Sequence, residues 1–333
     1  MTELQENKKR LLTVVVHNGL ANRLLPLVSC LRLAKQSGRL LNVIFNGTPV
    51  RSCIRYDGAP CKYYDLFEKN EENIVVDSDT NGIIYERTYN FEYWLNKEMI
   101  IDVSGLGHVY TNFGFFTIIG VEDDQTSMCK LLVDVIAKPG EIKFDGIAKE
   151  LGEILRKDMK PVAELQREID KYKNSRFKKN MLGIHIRSTD GGFVDIKWDK
   201  MVQELINKTK IWCAKSEENG VFLATDNRKY YVDFVSKLMT DQFVFYNPPE
   251  KLCGTESTNV ENFNNDKFNN DKFNVLCGLV EMYLLGECNK GVVGTAQSTF
   301  SVCGMLIGEG KKEENNIRKN YLIKSVEDIP DEF

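Results

Sequence analysis

Three short segments of this chain gather side chains that could hold a charged ligand. His185 is set into the apolar run 181–186, and Arg187, Thr189 and Asp190 follow it before the pair Gly191-Gly192. A guanidinium pairs with phosphate, an imidazole donates or accepts near neutral pH, and glycine allows close backbone approach. The second segment is Ala224-Thr225-Asp226-Asn227, whose carboxylate suits a purine donor edge or a ribose hydroxyl. The third, Gly294-Thr295-Ala296-Gln297-Ser298-Thr299, puts hydroxyls at the start of an expected helix, where backbone N–H groups and the helix dipole favour a phosphate. Each has a plainer reading: helix capping for Ser298, Thr299 or Asp226, and a structural ion pair for Arg187.

A fourth segment, His17-Asn18-Gly19-Leu20-Ala21-Asn22-Arg23, lies near the start of the chain. It lacks GxGxxG, so a dinucleotide fingerprint is absent, and it lacks the GxxxxGK[ST] phosphate loop. A glycine turn with Asn22 and Arg23 at a helix start remains, suited to a sugar or a phosphate.

All four segments must be held by strands and helices. The β-branched run 11–16, the helix-period pattern 20–33 and the apolar run 41–45 predict a βαβ unit. Short strands are expected at 74–76 and 83–85, and the aromatics Phe113, Phe115 and Phe116 are read as core. Residues 146–173 read as one or two amphipathic helices. From 181 onward strands at 181–186, 221–224, 243–246 and 291–293 alternate with helices at 199–215, 229–238, 276–287 and 298–307. That alternation predicts a parallel sheet covered by helices on both faces, and ligands then bind at the carboxyl ends of the strands.

With 333 residues two domains are expected, the border drawn between 165 and 166. A net charge of −4 with interspersed signs argues against nucleic acid as partner while leaving room for a local cationic pocket. Nine cysteines without CxxC pairs read as buried reduced thiols, which implies a reducing compartment and a cytoplasmic location. The apolar run at 11–16 is too short to span a membrane, so no transmembrane segment is expected. Phe263-Asn264-Asn265-Asp266-Lys267 is repeated at once as Phe268-Asn269-Asn270-Asp271-Lys272, and residues 262–274 read as an expanded surface loop.

His185-x-Arg187 with Thr189-Asp190, then Ala224-Thr225-Asp226, then Thr295-x-x-Ser298, preceded by Gly19-Leu20-Ala21-Asn22-Arg23, resembles the GDP-fucose-dependent fucosyltransferase superfamily, in its α1,6, α1,2 and protein O-fucosyltransferase branches. The resemblance implies an α/β fold of GT-B type, two Rossmann-like domains facing each other across a cleft. The N-terminal domain, 1–165, would serve the acceptor side, and 166–333 would bind the nucleotide sugar. It implies inverting transfer of L-fucose from GDP-fucose to a glycan hydroxyl, with no metal and no cofactor. Arg187 would hold the β-phosphate, His185 and Asp226 the guanosine, Thr295 and Ser298 the pyrophosphate and fucose, with Thr299 beside them, and Gly19 and Asn22 would close over the donor. The α1,6 branch carries a catalytic carboxylate ten residues after the motif His, which falls on Asp195. Asp190 is its rival as base and otherwise a donor-side acid, and a solvated loop acid is the plainer reading of Asp195.

The chain departs from that branch at Ser188, where a second Arg is usual, and at Gly191, where a basic residue is usual. Arg23 is expected to supply part of the missing charge. The alternatives are a transferase for another GDP-deoxyhexose such as GDP-rhamnose, a nucleotide-sugar or glycan-binding protein without catalysis, and a scaffold acting through the Asn-rich loop.

Overall fold

Aliphatic and β-branched runs give the chain its strands, and apolar residues at helical spacing cover them. The computed structural model describes residues 11–16, 19–36, 38–45, 47–50, 53–56, 61–76, 88–90, 108–112, 139–144, 146–188, 197–238, 241–246, 272–311 and 318–333. Two compact units result, Met1–Tyr63 with Lys69–Leu132, and Tyr64–Glu68 with Val133–Phe333. The border expected at 165/166 runs through a helix of the second unit.

In the first unit, β1 (Leu11–Val16), α1 (Leu20–Gln36) and β2 (Leu40–Phe45) form the expected βαβ element, with β1 and β2 paired in parallel from Leu11↔Leu40 to Val16↔Phe45. A hairpin, β3 (Gly47–Val50) and β4 (Cys53–Tyr56), follows. Beyond the short α2 (Tyr63–Leu66), β5 (Ile74–Val76), β6 (Thr88–Asn90) and β7 (His108–Asn112) complete a parallel sheet in the order β5-β2-β1-β7-β6. The direction of strand addition reverses between β1 and β7, so the carboxyl end of β1 lies at a topological switch point. The strand expected at 83–85 and the aromatics Phe113, Phe115 and Phe116 lie outside the described residues.

The second unit is built on six strands in the order β11-β10-β9-β12-β13-β8. They are β8 (Gly140–Ile142), β9 (Asn180–Ile186), β10 (Asn219–Thr225), β11 (Phe243–Phe245), β12 (Val292–Thr295) and β13 (Asn320–Ile323). All pairs are parallel except β13 with the edge strand β8. The helices are α3 (Gly146–Lys157), α4 (Ala163–Arg176), α5 (Trp198–Ala214), α6 (Arg228–Lys237), α7 (Lys272–Glu287) and α8 (Thr299–Glu309). α3 and α4 fill the stretch where one or two amphipathic helices were expected at 146–173, and the strands and helices expected after 181 all form. α7 starts at Lys272, so that 272–274 are helix and not the surface loop read at 262–274, the rest of which lies outside the described residues.

Side chains of β9 alternate between two covered faces, as the period of two requires. Leu182, Ile184 and Ile186 join Leu205, Ile206, Val221, Leu223, Phe234 and Val293 in one buried cluster with α5 and α6. On the other face a Cβ at Gly183 would meet Leu285 of α7 at 3.1 Å, so this small residue admits the helix. His185 has the parity of Gly183. The strands after β9 first step outward through β10 and β11, then return to β12 on its other side. The switch point of this sheet therefore falls between the carboxyl ends of β9 and β12, where His185, Arg187 and Thr295 stand.

Candidate functional site

Thr295 ties the two strand ends together. Its hydroxyl donates to the His185 carbonyl at 3.2 Å and accepts from the Arg187 N–H at 2.9 Å, and the residue is buried. With both bonds made inside the sheet, Thr295 shapes the site through the backbone it holds.

Directly after it the chain turns through Gln297, whose φ of 65° is left-handed and rare for a non-glycine residue. Ser298 then caps α8, its side chain accepting from the Ser301 N–H at 3.5 Å. Capping is thus one role Ser298 fills. The first turn of α8 contains no acidic residue, so no side chain of that turn offsets the positive end of its dipole. The backbone N–H groups of Gln297 and Phe300 have no acceptor among the described residues. Thr299, first residue of the helix, is half-buried beside them.

His185 is buried against this helix start. Its ring stacks on Phe300, centroids 4.7 Å apart, and Nδ1 lies 2.7 Å from Ser301 Oγ. A Cβ at residue 294 would fall 2.5 Å from Ser301 Cβ, so only a glycine there lets α8 come close enough for that bond. Burial, with the nearby Arg187 cation adding to it, pushes the His185 pKa down to about 3. The imidazole is therefore neutral at physiological pH.

Arg187 leaves the strand end with its side chain a quarter exposed, and its Nε lies 3.2 Å from Asp226 Oδ2. Asp226 also accepts from the Ser188 N–H at 3.1 Å. The cap of α6 is Asn227, whose side chain accepts from the Lys229 N–H at 2.9 Å, and this leaves Asp226 turned to β9. Asn227 Nδ2 in turn donates to Ser188 Oγ at 2.9 Å. Ser188, the departure from a second Arg, thus fastens the end of β9 to the end of β10. The carboxylate orients the guanidinium, and a cation held in this way at a strand end beside a helix N-terminus can receive a phosphate.

His185, Arg187, Asp226, Thr295, Ser298 and Thr299 thus gather on three adjacent strand ends and one helix start. Asp190 and Asp195 lie outside the described residues. Gly19, Asn22 and Arg23 belong to the first unit: Gly19 is exposed at the start of α1, and its carbonyl accepts from the Arg23 N–H at 3.2 Å. Asn22 is half-buried, and the Arg23 side chain is buried with its guanidinium 5.0 Å from the Phe45 ring centroid, a cation–π contact. Sequence reasoning missed Phe300, Ser301 and Asn227. Ser301 had a signal, because Thr295, Ser298 and Ser301 recur every third residue and a cap bonds the N–H three positions on. No group of three His, Cys, Asp or Glu able to hold a metal stands among the described residues, and none of their helices is long and apolar enough to cross a membrane.

A doubly wound sheet with an Arg–carboxylate pair and a helix start at its switch point defines the second unit as α/β, its charged groups gathered at the strand ends. No protein-family model and no curated protein matches the sequence. Solved structures do. A point variant of Arabidopsis thaliana FUT1 in complex with GDP aligns at a TM-score of 0.52 and 15% identity, over 91% of this chain and 70% of that one. POFUT1 in complex with GDP-fucose aligns at 0.50 and 10% identity, over 95% and 99%. The α1,6-fucosyltransferase NodZ soaked with GDP-fucose aligns at 0.45 and 16% identity, over 90% and 93%. The chain shares with the FUT1 and POFUT1 structures a mixed α/β fold, here with a six-stranded sheet.

Proposed function

We propose that the chain is a glycosyltransferase that moves L-fucose from GDP-fucose to a glycan hydroxyl, with inversion and without a metal or cofactor. The observation that carries this reading is the Arg187–Asp226 pair, 3.2 Å apart, at the switch point beside an acid-free helix start. The fold likeness to proteins crystallised with GDP and GDP-fucose supports the choice of nucleotide.

In the proposed reaction the acceptor oxygen bonds to the anomeric carbon from the face opposite GDP as the bond from that carbon to the β-phosphate oxygen breaks. The electron pair leaves with GDP, whose growing charge Arg187 stabilises, assisted by the N–H groups at the start of α8. Asp195 takes the acceptor proton as general base. His185, neutral, contributes hydrogen bonding rather than charge. Gly19, Asn22 and Arg23 are assigned to donor binding on the sequence motif.

The test is a thermal-shift panel of GDP, UDP, CDP and their sugars, followed by mass-spectrometric transfer assays. GDP at 100 times its Kd should add about 2.7 kcal/mol of stability. Asp195→Asn should keep GDP binding and lose transfer. A chain stabilised by UDP or CDP but indifferent to GDP would refute the reading.

A further inference from the structure

The hydroxyl of Ser301 makes two contacts but has one proton. It lies 2.7 Å from His185 Nδ1 and 3.3 Å from the Thr295 carbonyl oxygen, which can only accept. If the hydroxyl donates to that carbonyl, Nδ1 must bring the hydrogen of its own contact, and all the polar atoms of the relay are satisfied. If it donates to Nδ1 instead, the ring proton moves to Nε2, for which no acceptor stands among the described residues. The first arrangement makes both contacts hydrogen bonds, whereas the second leaves the one to the Thr295 carbonyl without a proton, so the first is favoured.

We propose that Ser301 is a positioning residue: it holds His185 as the Nδ1-protonated tautomer and leaves Nε2 as a lone-pair acceptor at the end of β9. Phe300 fixes the ring plane by stacking, and Gly294 gives Ser301 the room to reach it. Because burial keeps the ring neutral, the acceptor persists across physiological pH. On the donor-site reading above, on which this consequence rests, such an atom pairs with an N–H or O–H of the ligand and disfavours a phosphate oxygen. Ser301 thereby helps decide which part of a nucleotide sugar lies over His185 and which over Arg187.

The chain has three histidines, so selective 15N-imidazole labelling with long-range proton–nitrogen correlation resolves each ring, and loss of one set in His185→Asn assigns it. In the unliganded wild type His185 should show a protonated-type shift at Nδ1 and a lone-pair-type shift at Nε2. Ser301→Ala should populate the other tautomer and weaken GDP binding by about 3- to 10-fold, the loss of one hydrogen bond. Ser301→Thr, which keeps the hydroxyl, should restore both. A proton on Nε2 in the wild type, or a tautomer unmoved by Ser301→Ala, overturns the proposal. Should Ser301→Ala not fold, the wild-type spectrum decides alone. Absence of GDP binding in the wild type would instead sink the donor reading and leave the tautomer result standing.

Discussion

Replacing His185 by Asn should remove about 2 kcal/mol of the chain's loss of stability between pH 7 and pH 5. The wild-type ring is buried, and its pKa falls from the ordinary 6.5 to about 3. Below pH 6.5 the unfolded chain binds a proton at this residue while the folded chain does not, so stability falls as pH falls until the native ring itself protonates near 3. Each pH unit inside that window costs about 1.4 kcal/mol. From pH 7 to pH 5 the difference integrates to about 2 kcal/mol. Urea unfolding at the two pH values measures it, with Trp198 and Trp212 of α5 as fluorescent reporters in the second unit. His17 and His108 remain in both proteins, so their titration cancels in the comparison. His185→Asn will lower stability at every pH through lost packing, but the pH-dependent part is the readout. Equal losses in the two proteins between pH 7 and pH 5 would refute the argument.

Glu287, at the end of α7, has a side chain only 8% exposed and pairs with Arg156, Lys173 and Lys311 at 2.5, 2.6 and 2.7 Å. Burial pushes its carboxyl up, yet the three cations pull it down further, to about 2. Glu287→Gln should therefore cost about 3–5 kcal/mol at neutral pH by leaving those cations uncompensated, measured by denaturant unfolding. The same variant should lack the wild type's loss of stability as pH falls from 4.5 toward 2, a window acid titration followed by circular dichroism would show. Gly294→Ala drives a methyl into Ser301 and should lower stability by about 1–3 kcal/mol, read as a fall in Tm, and disturb the His185 ring signals. Arg187→Lys keeps a charge but loses the planar fork, and on the proposed function should reduce turnover by about 10²- to 10³-fold with little change in Tm.

The alternation from β9 to α8 was legible because each strand there is an apolar run and each helix carries its own period. Helix α5, expected at 199–215, spans Trp198–Ala214. The edge strand β8 and its neighbour β13 were not legible. At three and four residues they are too short to carry a period, and β13 is defined by its pairing with β12 and with the distant β8, which has no other partner strand among the described residues. Among site residues, the sequence placed His185, Arg187 and Asp226 at strand ends, where the structure gathers them. It could not separate Asp226 from Asn227, since either can cap a helix and only the backbone turn decides. Ser301 was hidden because its contact crosses from helix to strand through the space that Gly294 leaves.

The departures from the fucosyltransferase pattern acquire a physical reading from these contacts. A second Arg at position 188 would add charge at the strand end, whereas the Ser188 hydroxyl instead accepts from Asn227, beside the backbone N–H bond to Asp226 that any residue here but proline could make. Charge is exchanged for rigidity. Arg187 then rests on the Asp226 carboxylate, which a backbone donor helps to fix, and on the proposed function a preorganised cation loses less entropy on meeting phosphate than a mobile one. Arg23, expected to make up the missing charge, is buried and laid against Phe45, so releasing it toward a ligand would cost that contact as well. On the proposed function, the N–H groups at the start of α8 and the geometry imposed on Arg187 would supply compensation for the absent Arg beside whatever Arg23 gives.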